Sequence, residues 1–377
     1  MTASNDAVAA GDGNPAKGSP RIRLGALEAW MDAEGIGSGP IGAVSRLGGG
    51  GRNINARFRR AGRDLVLRMP GQFDWARNIR IRREMRLLKA IAGSAVPQPR
   101  LVAACEDLRV LGVPFYLMEP VDGFDPLAGL PHLHARSAAV RHRMGLALVE
   151  PIAALGSLDY VALGLSNFGF RDDFDAWQLR KWQGQLRDYD RFEGWGGPGL
   201  LGDVAGLDSW LDANLPAHFE PGIIHGDYHI ANVMYRPDSG EIAAVVDWEM
   251  AMIGNPLFDL GWLVATWPAD DGVVRILAEV QPGQSPVLAI QPWAGFPQPQ
   301  ELVDHYARHS ARNLDSILWY VTFACYKLGV ILEEAHARAC AGRISSAVGK
   351  RLHERARFFF ARAARWIDRG LGASSGS

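Results

Sequence analysis

The sequence predicts an α+β protein in two lobes, a small N-terminal lobe around an antiparallel sheet and a larger, mainly helical C-terminal lobe. Three observations carry that expectation. Between Val44 and Pro70 the chain reads as short strands, VSRLGGGGRNINARF and DLVLRMP, joined by tight turns. From Ala135 onward apolar residues recur at spacings of three and four, as in Val140, Met144, Ala147, Leu148 and Ile152, which is the helical period. A chain of 377 residues also suffices for two cores that share a cleft.

Taken in order, residues 1–20 are rich in Ala, Gly, Ser, Asp and Pro with little to bury, so a disordered leader is expected, and residues 370–377 have the character of a disordered tail. The N-terminal lobe is expected over residues 21–121 and the C-terminal lobe over residues 122–369. Leu24 to Ala33 reads as a helix with Leu24, Leu27, Trp30 and Met31 on one side. Gly48, Gly49, Gly50 and Gly51 would form a hairpin tip whose backbone can approach a ligand closely, with amides available to phosphate oxygens. One strand later comes Arg68, and the helix Trp75 to Ile91 supplies Glu84. Leu108 to Val121 reads as a hairpin with its turn at Leu111 to Pro114, ending in Met118-Glu119-Pro120-Val121.

In the second lobe, helices are expected over Ala135 to Leu155, Phe174 to Tyr189 and Val204 to Leu215. The apolar runs Gly222 to Ile224 and Ala243 to Val246 read as short buried strands, each delivering an Asp into a polar loop. Gly254-Asn255-Pro256 then starts a helix with Asp259 in its first turn, where an acid is favoured. A Pro- and Gln-rich insert, Gln281 to Gln300, precedes a helical C-terminal end through Leu314 to Arg338 and Ala347 to Ile367.

The chemistry concentrates in the two Asp loops. The first reads H-G-D-x-x-x-x-N, with Asp227 and Asn232; the second begins at Asp247 in D-W-E. Phosphoryl transfer asks for such a set. One carboxylate accepts the proton of the attacking hydroxyl, and an amide oxygen with a second carboxylate holds Mg2+ across nucleotide phosphates. Asp227 is the candidate base, and Asn232 and Asp247 are the candidate metal ligands.

This segment resembles the catalytic and metal-binding loops of the aminoglycoside phosphotransferase-like kinases, small-molecule relatives of the eukaryotic protein kinases. Within that superfamily the chain is most similar to the kinase-like domains associated with acyl-CoA dehydrogenases. The residues that carry this are ACEDLRVLGVPFYLMEPVDG, AAVVDWEMAMIGNPLFDLGWLVATW and DSILWYVTFACYKLGVILEEAHARA. The resemblance implies a bilobal protein-kinase-like fold that uses ATP and Mg2+. It also implies that the Gly48 to Gly51 amides and Arg68 meet the nucleotide phosphates, that Glu84 pairs with Arg68, and that backbone groups around Glu119 and Val121 take the adenine edge. By the same resemblance Asp259 braces the catalytic loop and His225 supports it. Two positions depart from the family pattern: Arg68 stands in place of Lys, and His229 where Arg is common after the HGD motif. No dehydrogenase follows within these residues, so a stand-alone kinase-like chain is expected.

The balance of Lys+Arg 40 against Asp+Glu 41 favours neither a nucleic-acid surface nor a membrane patch. Cys105, Cys325 and Cys340 lack metal or disulfide spacing, and no apolar run is long enough to span a bilayer, so a cytoplasmic protein with reduced thiols is expected. The expected function is ATP- and Mg2+-dependent phosphorylation of a small-molecule hydroxyl, with a hydroxyacyl-CoA or hydroxy acid as the acceptor the resemblance implies. Arg180, Lys181 and Arg187 lean toward an anionic acceptor. The alternatives are O-phosphorylation of an aminoglycoside or other antibiotic, and a catalytically silent nucleotide-binding module. A protein kinase proper is disfavoured, because no activation segment ending in A-P-E follows the second Asp loop.

Overall fold

The structure is a computed structural model that describes residues 7–8, 22–47, 53–268 and 290–370. It divides into two compact units, Met1–Asp122 with Val246–Met250, and Gly123–Val245 with Ala251–Ser377.

In the first unit, β1 (Ala7–Val8) pairs with β2 (Ile22–Arg23), so part of the expected leader takes a strand partner. Helix α1 (Leu24–Ala33) follows, and then β3 (Gly42–Arg46), β4 (Asn53–Arg60), β5 (Arg63–Pro70), α2 (Trp75–Ala90), β6 (Leu101–Cys105), α3 (Leu108–Leu111) and β7 (Phe115–Met118). The five-stranded antiparallel sheet has the order β3-β4-β5-β7-β6. Side chains alternate between its faces, as the two-residue strand period requires. Ile54, Ala56, Phe58, Leu65, Leu67, Met69, Phe115 and Leu117 point to one face, where they pack with Leu27 and Met31 of α1. Burying each of these Ile, Leu, Phe and Met side chains contributes about 1.5–3 kcal/mol. The register then sends Val66 and Arg68 to the opposite face, with Arg68 beside Asn55 on β4 and Tyr116 on β7.

The expected hairpin from Leu108 differs. Its first arm is a helical turn, because the Asp107 side chain accepts from Arg109 N and Gly112, at φ 84°, terminates the turn. The strand that pairs with β7 lies earlier in the chain, at β6. The Gly48 to Gly51 tip lies outside the described residues, as do residues 371–377 of the expected tail.

The second unit contains α4 (His132–Arg136), α5 (Ala138–Ala147), α6 (Val149–Ser157), α7 (Phe174–Arg187), α8 (Val204–Ala213), β8 (Gly222–Ile224), β9 (Val233–Tyr235), β10 (Ile242–Val245), β11 (Met252–Gly254), α9 (Leu257–Thr266), α10 (Pro299–His309), α11 (Ile317–Cys340) and α12 (Ser346–Arg369). The single helix expected over Ala135 to Leu155 is three. Ser137 takes an extended backbone and caps α5 by accepting from Val140 N at 3.2 Å. Pro151 cannot donate a backbone hydrogen bond to the preceding turn, which weakens continuity between α5 and α6. The two Asp-bearing strands do not pair with each other: β8 pairs with β11, and β10 with β9. Residues 281–289 of the Gln281 to Gln300 insert lie outside the described residues, and the helix that follows begins at Pro299.

Helix α9 packs tightly on α11. A Cβ at Gly261 would sit 2.7 Å from the Tyr320 carbonyl, so this crossing admits no side chain. Asn255 donates to the Tyr320 hydroxyl at 2.6 Å, and that hydroxyl donates to Asp175 at 2.7 Å, tying the start of α9 to α11 and α7. Helices α11 and α12 run antiparallel, with Tyr326 against Phe360 and His336 against His353. Among the described residues no helix is long and apolar enough to cross a membrane, and the three cysteines are free.

Candidate functional site

The expected site residues fall into two clusters, one in each unit. In the first unit, Arg68 projects from the central strand β5 and is buried. Its Nε donates to Glu84 Oε2 of α2 at 3.1 Å, and its Nη2 to Asp247 Oδ1 at 2.7 Å. Burial opposes the guanidinium charge, but Glu84, Tyr116 and Asp247 outweigh it and raise the Arg68 pKa. Burial also raises the Glu84 carboxyl, with Arg68 pulling the other way. Arg68 and Glu84 thus pair as the resemblance implied, and Asp247 completes the cluster.

Asp247 was expected in the C-terminal lobe, yet Val246–Met250 cluster with the first unit. The reason is a pairing distant in sequence: Arg68 holds the Asp247 carboxylate, and the one-turn helix Trp248–Met250 that follows packs on α2. Its backbone is left-handed, with φ 64°, a region that Asp tolerates better than most side chains and that non-glycine residues occupy mainly where surroundings compel it.

In the second unit, β8 delivers the loop His225 to Asn232. Asp259, fully buried in the first turn of α9, accepts from His225 N at 2.6 Å and from Gly226 N at 2.9 Å. That carboxylate is the brace the resemblance implied. Burial drives its pKa up to about 7, although both backbone bonds favour the charged form. Asn232 Nδ2 donates to the Asp227 carbonyl at 2.8 Å and reaches Asp227 Oδ2 at 3.4 Å. Its amide nitrogen therefore faces Asp227, and its amide oxygen is the end suited to a hard cation. His225 lies edge-on to Tyr228, inside the loop's support.

Asp227 itself is half-buried. Burial alone would raise its pKa, but His229, with Nε2 at 3.6 Å, together with His225 and Lys327, brings it down to about 2. His229 thus serves Asp227 electrostatically from the position where the family commonly carries Arg.

Glu119 lies just past β7, and its carboxylate is shared by Arg63 and Arg100, each at 2.7 Å. Its backbone N–H goes to the Arg100 carbonyl at 2.9 Å. Val121 is half-buried three residues beyond β7. Of the basic residues on α7, Arg180 pairs with Asp173 at 2.7 Å, which is a solvated-face role.

One residue escaped the sequence reading. Lys327 of α11 lies with Nζ 4.4 Å from the Trp262 ring centroid and 5.5 Å from that of Trp182, and Lys181 lies 5.1 Å from Trp182. Burial lowers the Lys327 pKa to about 8, against attraction from Asp227 and Asp259. A signal was present: Lys327 is the lone charge in the apolar stretch ILWYVTFACYKLGVIL. A charge buried in so apolar a helix asks for a reason.

The phosphotransferase enzyme family profile matches residues 43–289. Human acyl-CoA dehydrogenase family member 11 is 30% identical over 275 residues, covering 71% of this chain and 32% of the relative. Mouse acyl-CoA dehydrogenase family member 10 is 28% identical over 314 residues, covering 80% of this chain and 27% of the relative. The chain therefore spans about a third or less of the length of these two relatives. The crystal structure of a provisionally named aminoglycoside phosphotransferase from Ralstonia eutropha JMP134 is similar, with TM-score 0.70 and 28% identity, covering 90% of this chain and 98% of that one. A thermostable mutant of aminoglycoside phosphotransferase APH(4)-Ia, solved with AMP-PNP and hygromycin B, shares the fold at TM-score 0.54 and 16% identity, over 90% of this chain and 99% of its own. On a profile match that takes in more than half of the sequence, and on a protein-kinase-like fold shared with these structures, the chain belongs to the phosphotransferase enzyme family.

Proposed function

We propose that the protein transfers the terminal phosphoryl group of ATP, with Mg2+, to the hydroxyl of a small anionic molecule, with a hydroxyacyl-CoA or related hydroxy acid as the favoured acceptor. The observation that carries this reading is the Asp227 loop: a half-buried carboxylate held ionised, aligned by Asn232 and fixed from beneath by Asp259. A carboxylate with pKa about 2 is a weak base at neutral pH. Its work is to orient the acceptor hydroxyl and to take the proton late, once the oxygen has begun to bond to phosphorus, which suits a loose phosphoryl-transfer transition state.

The donor set fits a hard divalent cation. Asp247 offers a carboxylate and Asn232 an amide oxygen, the ligand types that magnesium prefers. The role assigned to Mg2+ is to neutralise phosphate charge and hold the phosphates in line for transfer. Arg68, kept charged by Glu84 and Asp247, supplies the fixed cation of the phosphate grip. Glu119 and Val121, at the end of the sheet, are assigned the adenine edge through their backbone groups, and the Gly48 to Gly51 amides the phosphates.

The anionic acceptor rests on Lys327, a cation set among Trp182 and Trp262 and electrostatically coupled to Asp227. Relatives named for acyl-CoA dehydrogenases support an acyl-CoA acceptor; the neighbour solved with hygromycin B supports the antibiotic alternative. A polycationic sugar would meet repulsion from Lys327 and Lys181, so that alternative ranks second. The silent-module reading ranks last, since the Asp227, Asn232 and Asp247 set is intact.

A pH profile checks the Lys327 role. The ammonium is charged below about pH 8 and neutral above it, so kcat/KM for an anionic acceptor should fall roughly tenfold per pH unit beyond that point. Lys327→Arg should abolish this alkaline limb while retaining activity, and a limb unchanged in the variant removes Lys327 from acceptor binding. The function as a whole is tested with purified protein, ATP and Mg2+ against hydroxyacyl-CoAs, hydroxy acids, aminoglycosides and sugars, read as ADP release. Turnover confined to aminoglycosides would overturn the acceptor class, and no turnover with any acceptor would overturn the enzyme reading.

A further inference from the structure

The C-terminal helix pair carries a second chemical cluster, remote in sequence from the Asp227 loop. Helix α11 ends in E-E-A-H-A-R-A-C, which spaces Glu333, His336 and Cys340 three and four residues apart, so that they share one face. The turn after α11 brings α12 back, and His353 meets this face: the His336 and His353 rings lie 4.2 Å apart between centroids. Glu333 Oε2 and His353 Nδ1 are 2.7 Å apart, and Cys340 Sγ lies 3.6 Å from His336 Nε2. One ligand atom from each of Glu333, His336 and His353 falls within a span of 4.8 Å.

Two features set this cluster apart from an ordinary surface network. Glu333 is fully buried, and its other oxygen accepts from Trp195 Nε1 at 2.7 Å, so the carboxylate is locked with Oε2 toward the imidazoles. Such outer hydrogen bonds are how proteins fix a metal-binding carboxylate. The group facing Oε2 is an imidazole, which can exchange a proton for a cation. A comparable group at Glu150, His305 and His309 also sets an imidazole, His305 Nε2, 2.9 Å from Glu150 Oε1, but its ligand atoms are already committed elsewhere. There the Arg143 guanidinium holds both Glu150 oxygens, Arg308 engages His305, and His309 Nδ1 is bonded to the His305 carbonyl.

We propose that Glu333, His336 and His353, with Cys340 as the fourth ligand, bind a divalent cation of the zinc class and clip α12 to α11. Two imidazoles, a carboxylate and a thiolate are a borderline-soft set that suits Zn2+ over Mg2+ or Ca2+. Zinc bonds of roughly 2.0–2.3 Å in a tetrahedron place neighbouring ligand atoms about 3.3–3.5 Å apart, which the Glu333, His336 and His353 atoms reach from within their 4.8 Å span by small shifts. The Glu333–His353 contact must open slightly, since the cation replaces the proton those atoms share. Cys340 is exposed and turns its thiol inward by a side-chain rotation. Binding releases the shared proton and the thiol proton to solvent, so occupancy should increase with pH. The site does not take part in the proposed phosphoryl transfer; it fastens the last helix of the chain.

The test uses the full-length protein, dialysed free of metal and titrated with ZnCl2 by calorimetry, with metal content measured after gel filtration and thermal melting recorded with and without EDTA. One zinc per chain is expected, together with a rise in Tm that EDTA reverses. His336→Asn and His353→Asn, both at half-buried positions, should each weaken binding at least about tenfold. With Co2+ as a spectroscopic probe, the wild type should show a thiolate charge-transfer band that Cys340→Ser removes. Failure to retain stoichiometric zinc overturns the proposal, as does binding that is unchanged in both histidine variants.

Discussion

Replacing Asp227 with Asn is expected to lower kcat by about 10²–10⁴-fold while leaving nucleotide affinity unchanged. Asn can still accept a hydrogen bond from the acceptor hydroxyl, so positioning is partly kept and the loss reports the missing proton acceptor. Asn232 and Asp259 grip the backbone of this loop through the Asp227 carbonyl and the His225 and Gly226 amides, so the loop should keep its course in the variant. Steady-state rates with a saturating acceptor and a calorimetric titration of nucleotide separate these terms. A variant that turns over at the wild-type rate would take the proton-accepting role away from Asp227.

The second large effect is expected at Asp247, and the choice of replacement matters. Ala at φ 64° adds a backbone cost of about 1–2 kcal/mol, whereas Asn tolerates the left-handed region and isolates the loss of charge. Asp247→Asn should weaken Mg2+-nucleotide binding by on the order of 100-fold, the upper end of the roughly 10–100-fold loss typical for removing a mere support of a metal ligand. The change also removes an anion from Arg68, which keeps Glu84 as its partner. A titration curve that matches the wild type would dismiss Asp247 as a metal ligand.

How much of this was legible in the sequence follows from how local each signal is. Alternation within DLVLRMP and the helical spacing of the C-terminal half report one strand or one helix, and β5, α1, α7, α9 and α11 appear close to where those patterns put them. The H-G-D-x-x-x-x-N loop was readable because its residues lie within one turn of chain. What was hidden depends on partners far away in sequence. Nothing around Asp247 says that it clusters with the first unit, since the cause is Arg68, 179 residues earlier. The helix break at Ser137 needed a cap competing with an unbroken apolar period, and the period is the louder of the two signals. Lys327 looked like one charge on a helix until Trp182 and Trp262 were found around it.

The Asp259 brace carries a consequence for how acid-limb kinetics should be interpreted. With its carboxyl poised near neutrality and gripping two amides of the loop, mild acidification neutralises the scaffold long before it reaches Asp227. An inflection near pH 7 in the rate profile would then record the loosening of a support. Assigning that ionisation to the group that handles the acceptor's proton would credit the wrong residue.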